Sequence, residues 1–298
     1  MSFLGTARYL LPVSIVLMVL SLVLLVKPGL NMSIEFTGGT LMEFELPAGN
    51  TKEDLTMALR TFDRPDVSFD GAAVTKTRTD SYFVRTPTLT NEQHLALLDH
   101  LTKSFGEIKE LQFTTIGPTV GSSLKRRAVY ALLIATVAII LYVALAFRKI
   151  PRKLSPLRFG VIAVAALLHD ILLTVGIFTI LSHFTTFQVD TLFVTALLSI
   201  MGYSVNDTIV IFDRIRDNLH LQDHRGEDFA VLAERSLRQT MTRTINTGLG
   251  ALIMLFALFF LGSESIRWFI LTLILGTLIG TYSSFFIATP LLVYWKKR

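Results

Sequence analysis

Six apolar runs, at 9–26, 128–147, 159–181, 189–212, 244–262 and 268–295, constrain this chain more than any other feature. A bilayer core takes about 20 apolar residues per helix, so each run is long enough to cross it, and the chain reads as a multi-pass membrane protein. The composition agrees, with 51% hydrophobic and only 17% charged residues. The first run is longer than an ordinary signal-peptide core, and Lys27-Pro28-Gly29 after it offers no small-residue cleavage site; it reads as a retained anchor. The last run is the longest and has to tilt, kink or extend beyond the hydrocarbon.

Charge is distributed as topology demands. Residues 30–120 hold 13 Asp or Glu against 8 Lys or Arg, and the remaining chain holds 10 against 20. This divides the chain into an N-terminal segment with the first span (1–29), an acidic domain outside the membrane (30–120) and a five-span bundle (121–298). Loop 148–158 carries five basic residues, loop 213–243 six and the tail Lys296-Lys297-Arg298 three, against Arg267 alone in the opposite loops 182–188 and 263–267. The bias places both termini and the basic loops on the cytoplasmic side and 30–120 outside. Lys125-Arg126-Arg127 opposes that orientation and is outweighed. The net charge of +5 flanks apolar runs, where anionic lipid explains it and nucleic acid is not needed. With no cysteine, disulfides, thiolate metal sites and thiol catalysis are excluded.

The segment 30–120 alternates in type. TLMEFEL (40–46) has strand character, TKEDLTMALRTF (51–62) has helical spacing at Leu55, Leu59 and Phe62, and Thr51 with Asp54 suggests a capping box. DVSFDGAAVTKTR (66–78) and DSYFVRT (80–86) read as paired strands, NEQHLALLDHLTKSF (91–105) as a helix and EIKELQFTTIG (107–117) as a last strand. The order β-α-β-β-α-β predicts an α+β, ferredoxin-like domain. His94 and His100, six apart, do not share a helix face, so no metal site is expected there.

The sharpest chemical signal is MGYSVNDTIVIFDRIRDN (201–218) in the fourth span. Asp207 sits there with Asn206, Ser204 and Tyr203, and an ionisable group at membrane depth needs a partner, water or a proton. Asp213 and Arg214 fall near the cytoplasmic boundary and read as a solvated helix end. Asp170, beside His169, lies at the middle of the third span, about 17 Å from either end at ~1.5 Å per residue. Arg243 in RQTMTRTINTG opens the fifth span at a depth that allows an ion pair with Asp207. Asp, His and Arg on consecutive spans suit a proton relay; a static, hydrogen-bonded polar cluster is the other reading. Gly276 and Gly280, continued by Ser284, and Gly248 and Gly250 mark close helix packing. EDFAVLAERSLRQTM (227–241) places Phe229, Leu232, Ala233 and Leu237 on one face, as an amphipathic helix on the inner surface does. No P-loop, G-x-S-x-G or HExxH is present. An ion gradient is therefore the expected energy source, and no enzyme activity, cofactor or metal is expected.

At these residues the chain resembles the SecF branch of the SecD/SecF family, within the RND-type transporter superfamily. The resemblance covers FTGGT (36–40), LLHD (167–170), GYSVNDTIVIFDRIRDN (202–218), RQTMTRTINT (238–247) and GTYSSFFIATPLL (280–292). It implies the fold of one RND-type half, six transmembrane helices with an external ferredoxin-like domain. It also implies a function: with its partner SecD, beside the SecYEG channel of the cytoplasmic membrane, such a chain uses the proton-motive force to help export unfolded secretory polypeptides. The family's functional carboxylate falls on Asp207 and its arginine on Arg243. Ser33 and Glu35 depart from the family's Gly-x-Asp-Phe-x-Gly-Gly turn. The rival readings are half of a small-molecule exporter and a scaffold of the channel that transports nothing. The carboxylates, with their Asn and Ser oxygens, suit H⁺ or Na⁺.

Overall fold

The computed structural model describes residues 2–62, 66, 67, 69, 71–77, 79–148, 156–221 and 227–296. Lys149, Arg152, Lys153, Arg225, Lys297 and Arg298, all part of the charge argument, lie outside these, as do Ser68, Asp70 and Arg78 of the strand expected over 66–78. The chain divides into two compact units, one of residues 31–129 with 184–190 and one of the remainder.

The smaller unit holds α2 (Ile34–Thr37), β1 (Gly39–Glu45), α3 (Lys52–Arg60), β2 (Ala73–Lys76), β3 (Tyr82–Thr86), α4 (Asn91–Phe105) and β4 (Lys109–Ile116). Its sheet has the order β2-β3-β1-β4 with every pairing antiparallel, the ferredoxin-like arrangement expected from the sequence. Period-2 alternation turns Met42, Phe44, Val74, Tyr82 and Val84 to one face, where they bury Leu55 and Leu59 of α3 and Leu97 and Leu101 of α4. The capping box at the start of α3 is present: Asp54 Oδ2 accepts the Thr51 N–H at 2.8 Å and the Thr51 hydroxyl accepts the Asp54 N–H at 3.3 Å. Thr90 and Gln93 form a second one before α4. His94 bonds Glu110 at 2.8 Å, and the His100 ring meets the Ala58 carbonyl at 3.0 Å. No metal-ligating group of three forms among the described residues.

Short helix α2, unforeseen in the sequence, explains the glycine pair. Ser33 caps it by accepting the Glu35 N–H, and Gly38 and Gly39 leave it at φ +77° and +126°, a region that suits glycine. A Cβ on Gly39 would stand 2.8 Å from the Thr86 carbonyl oxygen, and one on Gly38 2.9 Å from Pro118 Cα.

The larger unit is helical. Among the described residues, six segments are long and apolar enough to cross a membrane: α1 (Phe3–Val26), α5 (Pro118–Ala146), α6 (Pro156–Phe184), α7 (Thr191–Leu221), α8 (Phe229–Leu261), and a last one made of a single 3₁₀ turn (Glu264–Ile266), α9 (Arg267–Ser283), a π turn (Ser284–Ala288) and α10 (Thr289–Lys296). α7 packs against both α8 and α9. Small residues set the close contacts: Ala7, Ser14 and Ser21 recur every seven residues as the buried seam of α1, and a Cβ on Gly176 would lie 2.6 Å from Ser21 Cβ. Glu234 of α8 closes the start of α1, accepting the backbone N–H groups of Phe3 at 3.0 Å and Leu4 at 3.1 Å.

Two sequence expectations are revised here. The amphipathic stretch 227–241 is not a separate surface helix, because no Gly or Pro interrupts 242–247 and the buried stripe Phe229, Leu232, Ala233, Ser236, Leu237, Thr240 runs on into Thr244 and Gly248. Its apolar face packs into the bundle core beside Phe212, Ile215 and Leu292. Gly248 does pack closely, but nothing lies within 4 Å of a Cβ built on Gly250.

Candidate functional site

A polar seam crosses the apolar bundle where α6, α7 and α9 meet. Asp170 is the middle residue of α6 and 0% exposed. Its Oδ1 accepts from His169 Nδ1 at 2.8 Å; its Oδ2 is bonded by the Ser204 hydroxyl of α7 and, at 2.7 Å, by the Ser283 hydroxyl of α9. Burying a carboxylate without such donors costs several kcal/mol, and here three helices supply them. The far ring nitrogen of His169, Nε2, is buried with no partner among the described residues.

The glycines explain how α9 comes near enough. A Cβ on Gly280 would stand 3.0 Å from Ser204 Cβ, and one on Gly276 2.2 Å from Ile200 Cδ1, so the two bare turns of α9 lie directly on α7. Ser283 and Ser284, three and four residues after Gly280, share its helix face and take different partners. Ser283 faces Asp170, and Ser284 shares a hydrogen bond of 2.9 Å with Thr208 of α7. Thr289 donates to the Ser284 carbonyl five residues back, at 3.1 Å, filling the widened turn.

Asp207 occupies a second place in the seam, 2% exposed, where its Oδ2 accepts from the Thr281 hydroxyl at 3.3 Å. Tyr203, one turn earlier, lays its hydroxyl over Gly248, 2.9 Å from where a Cβ would be, with Thr281 Oγ1 next nearest at 3.4 Å. Thr244 contributes a buried hydroxyl without a partner among the described residues.

Asp170, His169 and Ser204 thus form one hydrogen-bonded group, with Asp207 and Tyr203 on the same helix as Ser204. Arg243 and Asn206 are exposed. The ion pair that depth allowed between Asp207 and Arg243 is not formed, because α8 turns Thr244 and Gly248 inward and one residue is about 100° of helix. Near the end of α7, Arg214 bonds Gln239 at 2.7 Å and Asn218 bonds Ser236 at 2.8 Å, so that end is tied to α8 and is more than a solvated terminus. Thr281 and Ser283 were missed in the sequence. The signal available was Thr281-Tyr282-Ser283-Ser284, four hydroxyl residues in succession inside an apolar run.

A buried seam of carboxyl, imidazole and hydroxyl groups inside six spans, with an α+β unit between the first two, defines a multi-pass membrane protein of one transporter-like half. Comparison narrows the class. The family model "Protein export membrane protein SecD/SecF, C-terminal" matches residues 97–298, and that of the SecD/SecF GG motif matches 23–46, around Gly38-Gly39. The protein translocase subunit SecF of Thermobaculum terrenum is 39% identical over 98% of this chain and 92% of its own. SecDF of Thermus thermophilus is 35% identical over 100% of this chain, which spans only 39% of that longer protein. The crystal structure of SecDF from that organism superposes with a TM-score of 0.86 at 34% identity, again over 100% of this chain and 39% of the other. The chain belongs to the SecD/SecF family of protein-export membrane proteins.

Proposed function

We propose that this chain is an accessory subunit of the Sec protein translocase, coupling the proton-motive force to late export of unfolded secretory polypeptides with a SecD partner beside SecYEG. The carrying observation is that two carboxyls, Asp170 and Asp207, are held at the centre of the spans by hydroxyls and one histidine, with no arginine or lysine against either among the described residues. Such groups change charge by gaining or losing one proton, and the helices supplying the hydroxyls respond. Asp207 and Asp170 are the relay carboxyls, with Tyr203, Ser204 and His169 supporting them. Arg243 keeps its charge throughout and, with Asn206, serves the relay from the exposed side of the bundle.

A partner membrane half is supported by two stripes that suit close helix packing, and by Asn206, Arg243 and Asn246 within them, which lipid does not satisfy. Thr195, Ser199, Gly202 and Asn206 form an exposed small and polar stripe on α7, and Arg243, Asn246, Thr247 and Gly250 another on α8. Polar side chains at membrane depth favour helix partners over lipid. The Thermus relative is named SecDF and this chain spans 39% of it; a SecD-type membrane half is the partner these stripes suit. The termini and basic loops face the cytoplasm and the ferredoxin-like unit lies outside, in line with the basic loops of the sequence.

The test is export of a secreted client into inverted membrane vesicles after initiation, with the proton gradient imposed or collapsed. Wild type responds to the gradient, and Asp207→Asn assembles with its partner but does not. Equal responses from both would refute the relay role of Asp207, and export indifferent to the gradient in wild type would favour the scaffold reading.

A further inference from the structure

Away from the polar seam, the start of α6 and the end of α10 enclose a groove of about 590 Å³. Its walls are apolar and aromatic, with Val161 and Ala165 of α6 facing Leu291, Tyr294 and Trp295 of α10. Among the described residues, the one charged group lining it is Arg158, in the first turn of α6, and no carboxylate lines it. Arg158 holds its guanidinium 5.9 Å from the centre of the Trp295 ring, and its Nη1 donates to the Trp295 carbonyl oxygen at 3.4 Å.

We infer that this groove is a binding site for an anionic phospholipid, with the acyl chains along Val161, Ala165 and Leu291 and the phosphate on Arg158. The chemistry is specific at each end. An aliphatic slot formed by two membrane-spanning segments accepts hydrocarbon, while Trp and Tyr at its rim have the amphipathic character of headgroup-level residues. The guanidinium has five N–H donors in a fork that matches a phosphate, and one of them is used by the Trp295 carbonyl. The cation–π contact with Trp295 leaves the guanidinium charged. The first N–H groups of α6, which lack intrahelical partners, add to the positive potential at the same end. Nothing negative among the described lining residues competes for the arginine, so charge complementarity favours an anionic headgroup over a zwitterionic one. The site is independent of the relay.

The experiment is native mass spectrometry of the full chain, purified and exchanged into nanodiscs of equal phosphatidylglycerol and phosphatidylethanolamine. Wild type retains phosphatidylglycerol about fivefold over phosphatidylethanolamine, the preference one basic residue confers near a membrane surface. Arg158→Gln abolishes the preference, Arg158→Lys keeps most of it, and Ala165→Phe, which fills the slot, loses both lipids. Circular dichroism identifies a variant that fails to fold, in which case the Arg158→Lys and Ala165→Phe arms decide. A wild type that retains no lipid, an Arg158→Gln protein with unchanged preference, or an Ala165→Phe protein that binds as wild type does would each overturn the assignment.

Discussion

Replacing Gly276 by alanine is the sharpest test of how the seam is held together. The new Cβ would stand 2.2 Å from Ile200 Cδ1, 2.3 Å from Cγ1 and 2.8 Å from Cγ2, whereas carbon atoms in contact sit about 3.5–4.0 Å apart. Relief therefore needs about 1.5 Å of movement at the tightest atom. Ile200 is 1% exposed, and its branched side chain is stiff at χ1, so the helices rather than the rotamer have to give. Overpacking of this kind costs about 1–3 kcal/mol, and the severity of three simultaneous overlaps puts it at the upper end. Alanine returns up to about 1 kcal/mol as a better helix former. The net expectation is a loss of about 2 kcal/mol, or about thirtyfold in the unfolding equilibrium. Equilibrium unfolding in mixed micelles, read by circular dichroism, measures it. Ile200→Ala alone is also destabilising because it leaves a cavity, but in the double variant the two defects relieve each other, giving a favourable coupling of about 2 kcal/mol. Gly250→Ala, with nothing within 4 Å of its new Cβ, is the control and is neutral or slightly stabilising. Strict additivity of the Gly276 and Ile200 changes would show that the contact does not set the α7–α9 distance.

Ser283→Ala removes one donor to Asp170 while leaving Ser204 and His169 in place; the gradient response of export falls while co-purification with the partner persists, and Ser283→Thr restores the response. Gly39→Ala meets both a backbone at φ +126° and the Thr86 carbonyl at 2.8 Å, so hydrogen exchange at Thr40 and Thr86 accelerates as the β1–β3 pairing loosens. Glu234→Ala leaves the first amides of α1 without their carboxylate, at a cost of about 1–2 kcal/mol, and exchange at Phe3 and Leu4 reports it. The Asp54 carboxyl is held below the usual carboxylate range by the Thr51 backbone N–H and then by the Thr51 hydroxyl. Its contribution to the α3 cap is therefore complete above the ordinary pKa of about 4 and is lost as pH falls through the lowered folded value. Protection of the first α3 amides decays over that acid range in wild type, and Asp54→Asn removes the pH dependence.

Local rules made much of this legible. The ferredoxin-like unit follows from alternation and helical spacing, and its capping box was visible as Thr51 and Asp54, because these signals sit within a few residues of one another. The six spans follow equally from run length. What escaped depends on which way a helix faces. Arg243 stands at the right depth for Asp207, yet the buried stripe through Thr240, Thr244 and Gly248 fixes the rotation of α8 and leaves the arginine outside. The same stripe merges the stretch at 227–241 with the fifth span, a continuity that span detection cuts at the first polar residues. Ser283 escaped because Gly276, Gly280 and Ser284 were read as packing alone, although Ser283, three residues after Gly280, lies on the same helix face.

The π turn after α9 also sets a rule for insertions and deletions in this segment. A π turn holds one residue more than the α-helix would, and each residue of an α-helix is about 100° of rotation. Removing one residue between Ser284 and Ala288 while keeping the faces of both flanks would restore plain α geometry, with α9 still on α7 and Leu292 and Val293 still in the core. The same deletion anywhere else in α9 or α10 would swing one flank out of phase. A family alignment gapped by one residue at this point would therefore describe helices of the same facing, differing in whether there is a widened turn for the Thr289 hydroxyl to fill.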